Sequence, residues 1–140
     1  MKDTRGVPYS RSEAKKWARQ RLVGFYDAPL TPFTKDGAVD VAALRHNIDA
    51  FVDMGLNGIV VGGFIAEAWN LTLSEWMRYH EIIADANNGR LDLSTIILDP
   101  SARQAVEKIE FTKRLGFNSA EVSNAIRHWR RKIIVILGSE

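Results

Sequence analysis

Three times between Asp40 and Gln104 a residue suited to cap a helix stands ahead of apolar positions at helical spacing, and short apolar runs fill the gaps between. From Asp40, the positions Val41, Leu44, Ile48, Phe51 and Val52 recur until Gly55. Thr72-x-x-Glu75 is a capping box, with Trp76, Tyr79, Ile83 and Ala86 on one face before Gly89. Ser101-x-x-Gln104 is another, followed by Ala105, Ile109, Thr112 and Leu115 and ended by Gly116. The intervening runs, Leu22 to Ala28, Gly58 to Gly63, Leu93 to Leu98 and Asn118 to Ser123, suit strands. Pro29 and Pro32 stop the first of these, since each removes a backbone donor. Strand and helix taking turns at this spacing predicts an α/β chain of parallel βα units with right-handed crossovers.

Both ends differ from this middle. Ser10-Arg11-Ser12-Glu13 fits a capping box, and Ala14, Trp17, Ala18 and Leu22 predict a helix ahead of the first strand. Residues 1–21 carry seven Lys/Arg against two acids, residues 125–140 four against one, so the body between holds the remaining eight against fourteen. Arg127-His128-Trp129-Arg130-Arg131-Lys132 leads into the apolar Ile133 to Gly138, a candidate fifth strand. The expected division is an N-terminal helical extension at 1–22, a body at 23–124 and a divergent basic and apolar tail at 125–140. Four cations within six residues around Trp129 would suit a phosphate backbone and a stacked base, but short basic runs are usually solvated surface. Nucleic acid is therefore not expected as a partner. With no cysteine there is no disulfide framework and no thiolate chemistry, and no apolar stretch is long enough to span a bilayer, so the cytoplasm is the expected location. His46, His80 and His128 are scattered without metal-ligand spacing; neither a metal site nor a cofactor is expected.

Particular residues narrow the fold further. Asp27-Ala28-Pro29-Leu30-Thr31-Pro32-Phe33, Lys35-Asp36-Gly37-Ala38-Val39-Asp40, Gly58-Ile59-Val60-Val61-Gly62-Gly63-Phe64-Ile65-Ala66-Glu67 and Leu71-Thr72-Leu73-Ser74-Glu75 follow one another in that order. This order resembles the opening third of the dihydrodipicolinate synthase and N-acetylneuraminate lyase family, pyruvate-handling class I aldolases on a (β/α)8 barrel. A barrel of that kind takes about 250 residues. The resemblance, spanning roughly Val23 to Asn124, implies a truncated part of a (β/α)8 TIM barrel, a lyase-like chain inactive on its own, and an open sheet edge that favours self-association.

The resemblance places the family's Gly-Thr-Thr-Gly-Glu motif on Gly63, Phe64, Ile65, Ala66 and Glu67. In the family the paired threonines hold the pyruvate carboxylate and help relay a proton. Phe64 and Ile65 offer only backbone N–H groups for that task. The family's Schiff-base lysine and proton-moving tyrosine have no matching positions: the tyrosines are Tyr9, Tyr26 and Tyr79, and Lys132 is the only lysine after Lys113. No catalytic residue is assigned. The candidate ligand-binding residues for a small pyruvate-like 2-oxo acid are Thr31, Gly63, Phe64, Ile65, Glu67 and Asp27. Each has a plainer alternative: Thr31 bracing a turn, Glu67 capping backbone donors, Asp27 filling a turn, Gly62-Gly63 permitting a tight bend. A non-catalytic chain that binds a 2-oxo acid or a partner barrel is the competing reading.

Overall fold

The computed structural model describes residues 12–123 and 133–136, the last four as backbone. Helix α1 runs Ala14–Arg21, β1 Tyr26–Asp27, α2 Val41–Asp53, β2 Gly58–Val61, α3 Leu73–Asn87, β3 Asp92–Leu98, α4 Ala102–Arg114, β4 Ser119–Ser123 and β5 Ile133–Ile136. All the strands form one sheet in the order β1-β2-β3-β4-β5, and the first four are parallel. Sequential parallel neighbours joined by helices are the repeating unit of a TIM barrel.

The caps act where the sequence puts them. Asp40 accepts from the Ala43 N–H at 3.0 Å and opens α2. At α3 the box is reciprocal: Thr72 Oγ1 accepts from Glu75 N–H at 3.3 Å, while Glu75 Oε2 accepts from Thr72 N–H at 2.8 Å. The Thr72 hydroxyl, followed by its backbone N–H, holds the Glu75 carboxyl below its ordinary range. Ser101 accepts from Gln104 N–H at 3.4 Å, a one-way cap.

Three expectations need correction. Helix α1 starts only at Ala14, with Glu13 at the cap position making no side-chain cap bond, so Glu13 does not stand at the third helical position that a box opened by Ser10 would give it; Ser10 itself lies outside the described residues. Strand β1 is far shorter than Leu22 to Ala28. Gly24 has φ +95°, and the Asn57 carboxamide fills the space a Cβ would need there while accepting the Phe25 N–H at 2.9 Å, so the ladder begins only at Tyr26. The fifth strand exists but pairs antiparallel to β4, from Ser119↔Ile136 to Val122↔Ile133. Only residues 124–132 separate the two strands, fewer than the dozen or so a parallel crossover requires.

Register sorts the strand residues onto two faces. Ile59 aligns with Leu93, Val61 with Thr95 and Thr95 with Ala120; these and Ile97 are almost wholly buried on the helix side, with Leu44, Ile48, Trp76, Tyr79, Ile82 and Ile83. The alternate positions Val60, Ile96 and Leu98 are only half-buried. They occupy the face that lines the interior in a closed barrel. At the opposite end of the strands Asp92 accepts from the Tyr26 hydroxyl and the Arg21 guanidinium, each at 3.1 Å, tying α1 to the sheet. Burial, then the Asp92 charge and hydrogen bond, push the Tyr26 hydroxyl up to about 12, with Arg21 opposing.

Candidate ligand loop at the end of the second strand

Chain direction puts the C-terminal ends of β1 and β2 side by side, where a barrel of this type gathers its working loops. The loop after β2 turns at Gly62, whose φ of +76° excludes an ordinary side chain. A Cβ there would lie 3.0 Å from Ile96 O and 3.1 Å from Thr95 Oγ1. Residues 64–67 then form a turn, closed by Glu67 N–H to Phe64 O at 3.1 Å, with Glu67 in the left-handed region at φ +53°. A single 3-10 turn, Ala68–Asn70, leads to the α3 cap.

Thr31 is the brace between the two loops. Its hydroxyl donates to Ala66 O at 2.6 Å, and the side chain is buried. Gly63 is also buried, whereas Phe64 and Ile65 are 58% and 61% exposed. Glu67 and Asp27 are exposed, and Glu67 caps nothing in the following turn. The structure thus brings Thr31, Gly63, Phe64, Ile65 and Glu67 to one loop pair, with Asp27 at the adjoining strand end. The backbone N–H groups of Phe64, Ile65 and Ala66 donate to no described residue. Successive free N–H groups ahead of a left-handed residue form a concavity of positive potential, suited to an anion.

Beneath the loop lies a cluster that sequence spacing did not reveal. His80 is fully buried; its Nδ1 lies 2.8 Å from Trp76 O and its Nε2 2.8 Å from Thr95 Oγ1. A carbonyl only accepts, so Nδ1 carries the proton, and Nε2 accepts from the Thr95 hydroxyl. Desolvation is the main reason the imidazole is pushed down to about 3, with Lys108 adding repulsion and the Trp76 carbonyl opposing. The histidine is therefore a neutral strut that holds Thr95 against the Gly62 bend. Next to it Tyr79 is also buried, and its hydroxyl makes no hydrogen bond with any described group. Burial pushes that hydroxyl above its ordinary range, disfavouring the phenolate, with Thr31 and the Gly62 amide pulling the other way.

Lys108 pairs with Asp99 at 2.9 Å, both nearly buried, with its ammonium 5.1 Å from the Trp76 ring centre. Lys35 is exposed in the Thr34 to Gly37 turn. Lys132, His128 and the basic run around them lie outside the described residues. His46 is exposed on α2. Among the described residues no group of acidic or imidazole side chains could hold a metal, and no helix is long and apolar enough to cross a membrane. A polar groove of about 550 Å³ lies elsewhere, between α2 and the end of α3, lined by Arg45, Asp49, Asp85, Ala86, Asn88 and Arg90. The ion pairs Arg45–Asp85 and Arg90–Asp49, each at 2.6 Å, neutralise it.

Residues 21–123 match the dihydrodipicolinate synthetase family. Over 102 residues the chain is 33% identical to the 4-hydroxy-tetrahydrodipicolinate synthase of Methanothermobacter thermautotrophicus, covering 73% of this chain and 36% of that one. It is 32% identical over 99 residues to the N-acetylneuraminate lyase of Rhizobium meliloti, with 71% and 33% covered. The crystal structure of dihydrodipicolinate synthase from Aquifex aeolicus superimposes with a TM-score of 0.67 at 30% identity, over 71% of this chain and 33% of that one. The chain spans about a third of the length of the curated relatives it matches.

Proposed function

Because the chain belongs to the dihydrodipicolinate synthetase family, we propose that it binds a small 2-oxo acid of the pyruvate type on the loop after β2 and does not, by itself, turn it over. The observation that supports this is the row of N–H groups at Phe64, Ile65 and Ala66 that donate to no described residue, held by the Thr31 brace. Backbone amides fixed in space stabilise a carboxylate without reorganisation. Two side-chain hydroxyls are missing relative to the family motif. Each lost hydrogen bond to a charged group weakens binding by roughly 1.5 to 3 kcal/mol, so the two together weaken it roughly 10²- to 10⁴-fold and only weak pyruvate binding is expected.

Turnover requires an unprotonated amine at the mouth of the barrel. Lys35 is solvated and Lys108 is held by Asp99, so neither is poised for it. Calorimetric titration with pyruvate tests the binding, and micromolar affinity would contradict the account. Borohydride reduction with pyruvate, followed by mass measurement, tests the chemistry. A stoichiometric adduct on one lysine would show that this polypeptide is a working Schiff-base enzyme.

Self-association is proposed alongside it. Val60, Ile96 and Leu98 share a half-buried sheet face, and family barrels bury the equivalent surface inside a closed ring. Sedimentation velocity across a concentration series measures it, and a constant monomer would exclude it.

A further inference from the structure

The anion-suited loop is also the most apolar exposed segment at its end of the sheet. Phe64 and Ile65 are 58% and 61% exposed, and Trp69, two residues beyond Glu67, is 59% exposed. Leu30, next to the Thr31 that hydrogen-bonds Ala66, is 65% exposed. Phe64 and Ile65 thus carry exposed apolar side chains on the same residues whose N–H groups donate to no described residue, with Trp69 and Leu30 exposed on the adjoining segments. A polyhydroxylated or very small ligand would leave those side chains in water. A ligand with a carboxylate at one end and an apolar body at the other would use both.

We propose that the loop is selective for 2-oxo acids carrying an aromatic or branched apolar side chain, with the carboxylate on the Phe64 to Ala66 amides and the apolar body against Phe64, Ile65 and Trp69. This rests on the reading of the loop as a carboxylate site. It adds a specificity that the loss of two threonines would otherwise make a simple defect: the substitutions that remove hydroxyl donors supply the apolar surface. Nothing in the bend opposes it, since Gly62 and the His80 to Thr95 strut are set by residues facing the helices.

The test uses the full chain, titrated separately with pyruvate and phenylpyruvate by calorimetry and by amide chemical-shift mapping. Phenylpyruvate is expected to bind roughly ten times more tightly, the return on removing about 55 Å² of apolar surface from water at about 25 cal/mol per Å². Its shifts should fall on residues 64–66 and on the Trp69 indole. Trp69→Ala, and separately the double substitution Phe64→Ser with Ile65→Ser, should bring the ratio of the two affinities to within about threefold. These side chains are exposed, and circular dichroism confirms that the variants fold. If pyruvate binds and phenylpyruvate binds no better, the specificity is overturned while the carboxylate site stands. If neither binds, the carboxylate site falls and takes the specificity with it. Should sedimentation show a dimer that the double substitution dissolves, the apolar side chains belong to an interface between copies, and the proposal is overturned.

Discussion

His80 makes stability depend on pH in a window where few other groups titrate. The folded chain keeps this imidazole neutral down to about pH 3, whereas the unfolded chain protonates it near the ordinary 6.5. Above that ordinary value both states are neutral and the group has no effect on the balance. Below it the unfolded state binds a proton that the folded state refuses, so stability falls with falling pH until the folded imidazole also protonates. The slope approaches about 1.4 kcal/mol per pH unit, and integration from pH 7 to pH 5 gives a loss of about 2 kcal/mol. The groups that face the ring are Lys108, Tyr79, Trp76, Thr95 and Phe117, of which Lys108, paired with Asp99, is the charged one. Urea unfolding at pH 7, 6 and 5 should be measured on the parent chain and on His80→Gln. The variant will be less stable at pH 7 through lost ring packing, including the stack on Trp76 at 3.8 Å. It should nevertheless lose about 2 kcal/mol less than the parent between pH 7 and pH 5. Parallel curves for the two proteins would refute the buried neutral histidine.

Other substitutions probe the same neighbourhood. Gly62→Ala puts a Cβ 3.0 Å from Ile96 O at φ +76°, and thermal unfolding should show a loss of about 2 kcal/mol or more. Asp99→Asn leaves the Lys108 ammonium uncompensated beneath Trp76, with an expected cost of about 3 kcal/mol in chemical denaturation. Thr72→Ala removes the α3 cap and should cost about 1 kcal/mol, read in the same assay, with faster amide exchange confined to the first turn. Thr31→Val breaks the 2.6 Å bond to Ala66 and should weaken pyruvate binding while costing about 1 kcal/mol of stability.

What could be read from the sequence follows the chemistry of helix starts. Asp40, Thr72 and Ser101 satisfy backbone donors locally, so their roles need no knowledge of the rest of the fold. The four parallel strands followed from the alternation, and the family from short motifs in register. What escaped depends on partners far along the chain. Strand β1 is curtailed by Asn57, more than thirty residues away, and β5 turns antiparallel because its connection is short. That Thr31 and the Gly63 to Glu67 segment would meet at one loop pair was legible because the motif frame stays in register without its threonines. His80 was not, although it stands four residues after Trp76 on the buried side of α3, and that spacing was the available signal. Lys108 sits between the buried Ala105 and Thr112 on the inward stripe of α4, but only the fold shows that Asp99 waits for it.

The antiparallel fifth strand occupies the border of the sheet at which a family barrel would add its next parallel strand. Pairing of a further parallel strand with β4 is consequently an exchange reaction and not a simple addition. An incoming strand must strip β5 from the register that runs from Ser119↔Ile136 to Val122↔Ile133 before it can pair with β4. Such a competition makes the rate of assembly depend on how often β5 lifts away, so it should level off as the concentration of the incoming partner rises. Among the described residues no further strand covers the β1 border, and with only Tyr26 and Asp27 in its ladder it offers little for another strand to grip.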